Sequence, residues 1–104
     1  MKTKTRITTH PGVVLKKDFL EPLGITMNAL AVALKVPNNR IVHIVYCQRS
    51  VSADTALRLS RFFGNSAQFW LNLQMNYDLS IAQQEHGEAI ERGVLPREQN
   101  HISR

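Results

Sequence analysis

A single cysteine, Cys47, stands among 104 residues, so no intramolecular disulfide can form. That usage fits a reducing compartment, and the chain is expected in the cytoplasm. No stretch approaches the roughly 18 apolar residues that a membrane span needs, which argues against a membrane partner. The basic opening MKTKTRITTH is followed by no apolar segment of the kind a secretory signal carries. Hairpin signals are missing too: there is no Asn-Gly or Asp-Gly pair and no sustained polar/apolar alternation. Repeats and low-complexity segments are absent. With one cysteine, and His10, His43, His86 and His101 scattered along the chain, no zinc set can be assembled. Cys47 and His43 lie four apart but lack a third partner for nucleophilic chemistry. No metal, no cofactor, no small-molecule substrate and no catalysis are therefore expected.

What is present is an ordinary globular composition, 43% hydrophobic and 20% charged, in a length that suits one domain. The net charge of +5 is unevenly placed. Residues 1–61 hold ten Lys/Arg against three Asp/Glu, and residues 62–104 hold three against five. A basic front half suits a polyanion such as nucleic acid, and a mildly acidic rear suits a different, basic partner. A solvated surface with chance asymmetry would give the same counts.

Helix punctuation is frequent. Residues 1–9 read as a polar arm. Pro11 suits a first helical turn, and Val14, Leu15, Phe19 and Leu20 recur near helical spacing until Glu21-Pro22 and Gly24 are expected to stop the helix. Thr26 can cap a second helix striped by Leu30, Ala31 and Leu34 and ending near Lys35. Ser52 caps another, with Asp54 in its first turn to meet the helix dipole, Ala56, Leu59, Ser60 and Phe63 on one face, and Gly64 at its end. Asn65 or Ser66 restarts the chain into the longest helix, carrying Phe69, Trp70, Leu73 and Tyr77. It is expected to run towards Gln84, with Gly87 as an interruption and a short helical piece near Glu88–Arg92. Gly93 and Pro96 should end order.

Between the second and third of these helices lies VPNNRIVHIVYCQRS, residues 36–50. Its β-branched and aromatic residues favour a strand, yet a lone strand cannot satisfy its backbone. Wound as a helix, Ile41, Ile44 and Val45 share one arc while Asn39, His43 and Tyr46 share the other, with Val42 at its edge. A helix is predicted over about 38–47, joined to the preceding one by a tight turn through Lys35-Val36-Pro37. Two short helices so joined form a helix-turn-helix over about 26–47. In that motif the amino-terminal end of the second helix enters the DNA major groove. Asn38 and Asn39 could there bond adenine, Arg40 could reach guanine or phosphate, and His43 and Tyr46 follow along the same side. The pattern alone leaves open a generic helical bundle whose surface asparagines do nothing.

The segments HPGVVLKKDFLEPLGITMNALA (10–31), VPNNRIVHIV and QRSVSADTALRLSRFFGNSAQFWLNLQMNYDL (48–79) resemble the HigA antitoxins, also named VapI, of the Xre (λ-repressor-like) helix-turn-helix group. The resemblance spans about residues 10–90, and SADTALRL and FWLNLQ.NYDL are its most specific pieces. It implies an all-α fold: a compact five-helix λ-repressor-like DNA-binding domain over 10–80, with a C-terminal helical extension over 81–104, partly disordered. It implies an antitoxin of a type II toxin–antitoxin pair. Such a protein neutralises a HigB-like mRNA endonuclease and, as a homodimer, represses its own operon at double-stranded operator DNA. A cytoplasmic protein, nucleoid-associated when DNA-bound, is expected, and a stand-alone Xre-type regulator without a toxin is the alternative. The resemblance places Asn38, Asn39, Arg40, Val42 and His43 on the recognition face, and Thr26, Asn28 and Arg49 at flanking positions suited to phosphate. It places FWLNLQ, and so Phe69, Trp70, Leu73 and Tyr77, in a dimer-forming region. Where relatives commonly carry a glycine to end the recognition helix, this chain carries Cys47. A left-handed cysteine there would cost about 1 kcal/mol.

Overall fold

A computed structural model describes residues 6–97. The described residues form five helices and no strand, as expected. Helix α1 covers residues 11–23 and is composite: an α turn (Pro11–Val14), a π-helical stretch (Leu15–Leu20) and a closing turn (Glu21–Leu23). Then come α2 (Met27–Leu34), α3 (Asn38–Val45), α4 (Ala53–Phe63) and α5 (Ala67–Gly93). Of the C-terminal extension expected to be partly disordered, residues 98–104 lie outside the described residues.

The caps follow from residue chemistry. Thr26, Ser52 and Ser66 each sit in extended backbone and accept, through the hydroxyl oxygen, an amide hydrogen from three residues on, which satisfies one orphan donor per helix. Gly24 and Gly64 close α1 and α4 at φ +66° and +82°, where a Cβ would be penalised. His10 caps α1 instead of a hydroxyl residue. Its Nδ1 accepts from the Gly12 amide at 2.8 Å, and its ring meets Tyr77 edge-on with centroids 4.8 Å apart.

Two expectations about helix ends need correction. Glu21-Pro22 does not stop α1: Glu21 stays helical at φ −64°, ψ −51°, and its amide reaches back five residues to the Lys16 carbonyl. The wide π turn accommodates a proline that has no amide to bond and needs room around the preceding carbonyls. Gly87 does not interrupt α5, which is continuous to Gly93. A mid-helix glycine costs only about 1 kcal/mol relative to alanine, and here it sits among helix formers with an i,i+4 pair, Glu88–Arg92, just beyond. This long helix gives the molecule its 57 Å long axis against 26 and 22 Å across. The helical core is compact and the distal part of α5 projects from it.

The core joins all five helices: Leu15 and Leu20 of α1, Leu30, Ala31 and Leu34 of α2, Ile41, Ile44 and Val45 of α3, Ala56 and Leu59 of α4, and Trp70 of α5. Each of the larger aliphatic side chains contributes roughly 1.5–3 kcal/mol by leaving water. Trp70 is fully buried, stacks obliquely on Phe19 at 5.0 Å, and donates Nε1–H to Asn65 Oδ1 at 3.0 Å, so its polar atom is not orphaned. Gln74, also buried, ties α5 to the loop after α3: its Oε1 accepts from the Val51 amide at 2.8 Å. Ser80 Oγ accepts from Thr8 N at 3.2 Å, holding the end of the arm.

At one point α1 touches α3 with no side chain between. A Cβ added to Gly12 would overlap the Ile44 carbonyl oxygen, so only glycine allows this approach. Gly12→Ala is therefore expected to destabilise the fold by about 1–3 kcal/mol, the scale of overpacking, as read by the midpoint of urea unfolding. Burial pushes the His10 imidazole below its ordinary pKa near 6.5, with Asp78 pulling weakly the other way. Because the folded state then resists protonation more than the unfolded one, this contribution is complete above about pH 6.5 and is lost as pH falls below it. Lowering the pH from about 7.5 to 5.5 should reduce the unfolding midpoint, and His10→Asn, which caps without titrating, should flatten that dependence.

Candidate nucleic-acid interface

Helix α3 has eight residues and no side-chain cap. Pro37 precedes it in extended backbone, and a proline offers no side-chain acceptor to the first amides. The amino-terminal end therefore presents N–H groups and the positive end of the helix dipole outward. Asn38 and Asn39 at that end are exposed, as are His43 and Tyr46 one and two turns along, while Ile41, Ile44 and Val45 are buried. The angular split expected from the sequence is the split observed. Val42 is half-buried at its edge.

Both helices of the motif end in the same way. At Lys35 (φ +63°) and Cys47 (φ +62°) the backbone turns left-handed without glycine. After α2, the Lys35 amide reaches the Val32 carbonyl and the Val36 amide the Ala31 carbonyl. After α3, the Cys47 amide reaches the Ile44 carbonyl at 2.9 Å and the Gln48 amide the His43 carbonyl at 2.7 Å. Each pair is a Schellman closure, which satisfies the last carbonyls of the helix. α3 thus ends two residues earlier than the sequence pattern suggests, and Cys47 adopts the left-handed conformation that glycine takes most easily. Its thiol is free and exposed.

Arg40 is placed differently from the other candidates. Its guanidinium turns towards α4, where Nη1 donates to Asp54 Oδ2 at 2.7 Å, and its side chain is only 27% exposed. Asp54 Oδ2 also accepts from Arg58 Nε at 2.9 Å, and Arg58 Nη1 donates to the Leu34 carbonyl at the end of α2 at 2.8 Å. The two guanidiniums, that of Arg58 first, hold the Asp54 carboxyl below the usual carboxylate range. This chain of contacts links α3, α4 and α2. From the sequence, Asp54 is expected only to meet the dipole of its own helix, and Arg58 carries no expected role. The missed signal was an acid in the first turn of α4 followed four residues on by an arginine.

The remaining candidates are spread around this end of the molecule. Thr26 is exposed but its hydroxyl is engaged as the α2 cap, accepting from Ala29 N at 3.0 Å; Asn28 and Arg49 are exposed. The candidate dimer residues divide: Phe69 is partly exposed, Leu73 and Tyr77 are half-buried, and Trp70 lies wholly within the core of its own chain. Met75, Leu79 and Ile90 of the same helix are more exposed than any of these. Beside the arginine–aspartate contacts lies an open groove of about 550 Å³, lined among others by Leu34, Lys35, Leu57, Arg61 and Phe62.

No model of a known protein family matches the chain. Virulence-associated protein I of Dichelobacter nodosus is 53% identical over 76 residues, which cover 73% of this chain and 70% of that protein. Antitoxin HigA-1 of Vibrio cholerae is 41% identical over 78 residues, 75% of this chain and 72% of the relative. The solved structure of Pseudomonas aeruginosa antitoxin HigA with the higBA promoter is similar at a TM-score of 0.84 and 46% sequence identity, over 86% of this chain and 98% of that one.

The left-handed cysteine yields a direct test. Cys47→Gly removes the Cβ penalty and should raise stability by up to about 1 kcal/mol, read in urea unfolding under reducing conditions.

Proposed function

The chain belongs to the HigA family of helix-turn-helix antitoxins, and on that premise we propose that it neutralises a HigB-like mRNA endonuclease and represses its own operon as a dimer on palindromic operator DNA. It acts by binding, not catalysis, in the cytoplasm and at the nucleoid when on DNA. The observation that carries the DNA half of this reading is α3: an uncapped helix start with exposed Asn38 and Asn39, held to the core by its opposite face. Its likeness to an antitoxin solved with promoter DNA supports the same reading.

The roles follow from chemistry. Asn39 lies at the centre of the exposed arc and can bond adenine through N6 and N7 in the major groove. Asn38, at the helix start, presents a second amide to a base edge or a phosphate. His43 and Tyr46 extend the same face, with Val42 offering an apolar edge to a thymine methyl. Asn28, Arg49 and the Thr26 turn flank it and suit the phosphate backbone, which positions the protein without reading sequence. In a symmetric dimer the two α3 helices would enter successive major grooves about 34–36 Å apart. The unit that binds DNA is residues 10–80, and Phe69, Leu73 and Tyr77 contribute to pairing the protomers. Trp70 supports that surface from beneath. The acidic rear, including Glu85 and Glu88 on the projecting part of α5, suits a basic toxin.

Fluorescence anisotropy with a duplex of the native promoter tests the DNA half. Asn39→Ala should weaken operator binding by about 1–3 kcal/mol and relax discrimination at one position. Arg49→Ala should weaken operator and scrambled duplex alike and lower the salt slope by about 1. Unchanged operator affinity in Asn39→Ala would remove α3 from the interface. Co-expression with the adjacent reading frame tests the toxin half: without a stable complex or rescue of growth, a stand-alone Xre-type regulator is the reading that survives.

A further inference from the structure

Arg40 is expected from the sequence to touch DNA, and three observations describe how its side chain is held in the absence of DNA. On the α3 helix it lies one turn before buried Ile44 and away from the arc of Asn39 and His43. Its side chain is largely covered, and its guanidinium is engaged by Asp54 at 2.7 Å. The same carboxylate oxygen accepts from Arg58, which is itself tied to the last turn of α2 through the Leu34 carbonyl. We propose that Asp54 is a positioning residue for operator recognition: through Arg40 and Arg58 it sets the angle at which α3 presents Asn39 and His43 to the major groove. The proposal rests on the DNA-binding reading and goes beyond it, because it takes Arg40 out of the DNA-contacting set and brings in two residues of α4.

The physical case is one of geometry more than strength. Exposed ion pairs add little to global stability. A helix of eight residues has no rigidity of its own, however, and α3 is seated by a narrow stripe of three buried side chains and by the Ile44 backbone against Gly12. A stripe constrains sliding better than rolling. The Arg40–Asp54 contact lies to one side of that stripe and so opposes rolling about the α3 axis, and Arg58 fixes the carboxylate against α2. A recognition side chain must be held within about 0.5 Å of its productive position by such supporting contacts.

Electrostatics alone predicts the opposite outcome, and that makes the idea testable. Removing an acid from a surface that faces phosphates should strengthen DNA binding. If Asp54 positions α3, Asp54→Asn should instead weaken binding to the native operator by about tenfold, the scale of a coupled contact in a recognition network. Binding to a scrambled duplex should stay unchanged or tighten. Arg40→Met, which keeps the apolar stem, should show the same loss of discrimination, and Arg40→Met/Asp54→Asn should lose no more than either alone. Operator binding that is unchanged or tighter in Asp54→Asn overturns the proposal. So does an Arg40→Met loss far exceeding that of Asp54→Asn, which would mean that Arg40 touches DNA itself. A readout without DNA separates this from the functional reading: amide hydrogen exchange within α3 should speed up in Asp54→Asn while α5 stays protected. If wild type fails to distinguish operator from scrambled duplex, the DNA-binding reading fails. Unaltered exchange across α3 refutes the positioning role of Asp54 whatever the DNA result.

Discussion

A helix of eight residues does not hold together in water by itself, because nucleation is costly and propagation too brief to offset it. Helix α3 exists because Ile41, Ile44 and Val45 are packed into a core built by the other four helices. That single constraint organises the molecule. The side of α3 that faces inward must be apolar and tightly seated, so that the other side is free to carry polar groups with no structural duty. Gly12 belongs to the same constraint. By lacking a Cβ it lets the start of α1 reach the Ile44 carbonyl, closing the inner face with backbone where a side chain would leave α3 standing further out. On the far side, the buried amide of Gln74 holds the Val51 loop that leaves α3.

The ends of α2 and α3 show how strain is placed where geometry is worth more than stability. Both helices close in Schellman turns with a left-handed residue, and in both the residue is not glycine. Lys35 and Cys47 each carry a Cβ penalty of about 1 kcal/mol, which the surrounding hydrogen bonds and the packing of Val36 and Val51 against the core offset. The turns they make set the direction of α3 on entry and of the loop on exit. The contacts among Arg40, Asp54, Arg58 and the Leu34 carbonyl complete the frame, so the outer face of α3 is held by packing beneath, turns at either end and a charged contact alongside.

Much of this was legible in the chain itself. Thr26, Ser52 and Ser66 are hydroxyl residues ahead of apolar periodicity, and each caps its helix. The 100° spacing of Ile41, Ile44 and Val45 overrode the strand propensity of the same residues, because a lone strand has nowhere to bond. What could not be read were effects that depend on width or distance. The proline at residue 22 reads as a stop unless the turn before it is known to widen to five residues. Gly87 reads as a break unless its neighbours on both sides stay helical. The Arg40–Asp54 contact could not be read either, because the carboxylate lies fourteen residues away, beyond any local pattern.

The sequence by itself determined the helices, their capping residues, the division of α3 into an inner and an outer arc, and the family to which the motifs point. These rest on local chemistry and on period, which neighbours in the chain express directly. Tertiary structure alone decided which polar side chains of α3 are engaged by the rest of the fold. It settled Trp70 in the core and turned Arg40 towards Asp54. It also seated Gly12 against Ile44. Each of these is a contact between groups that the chain separates and only packing brings within a few ångströms.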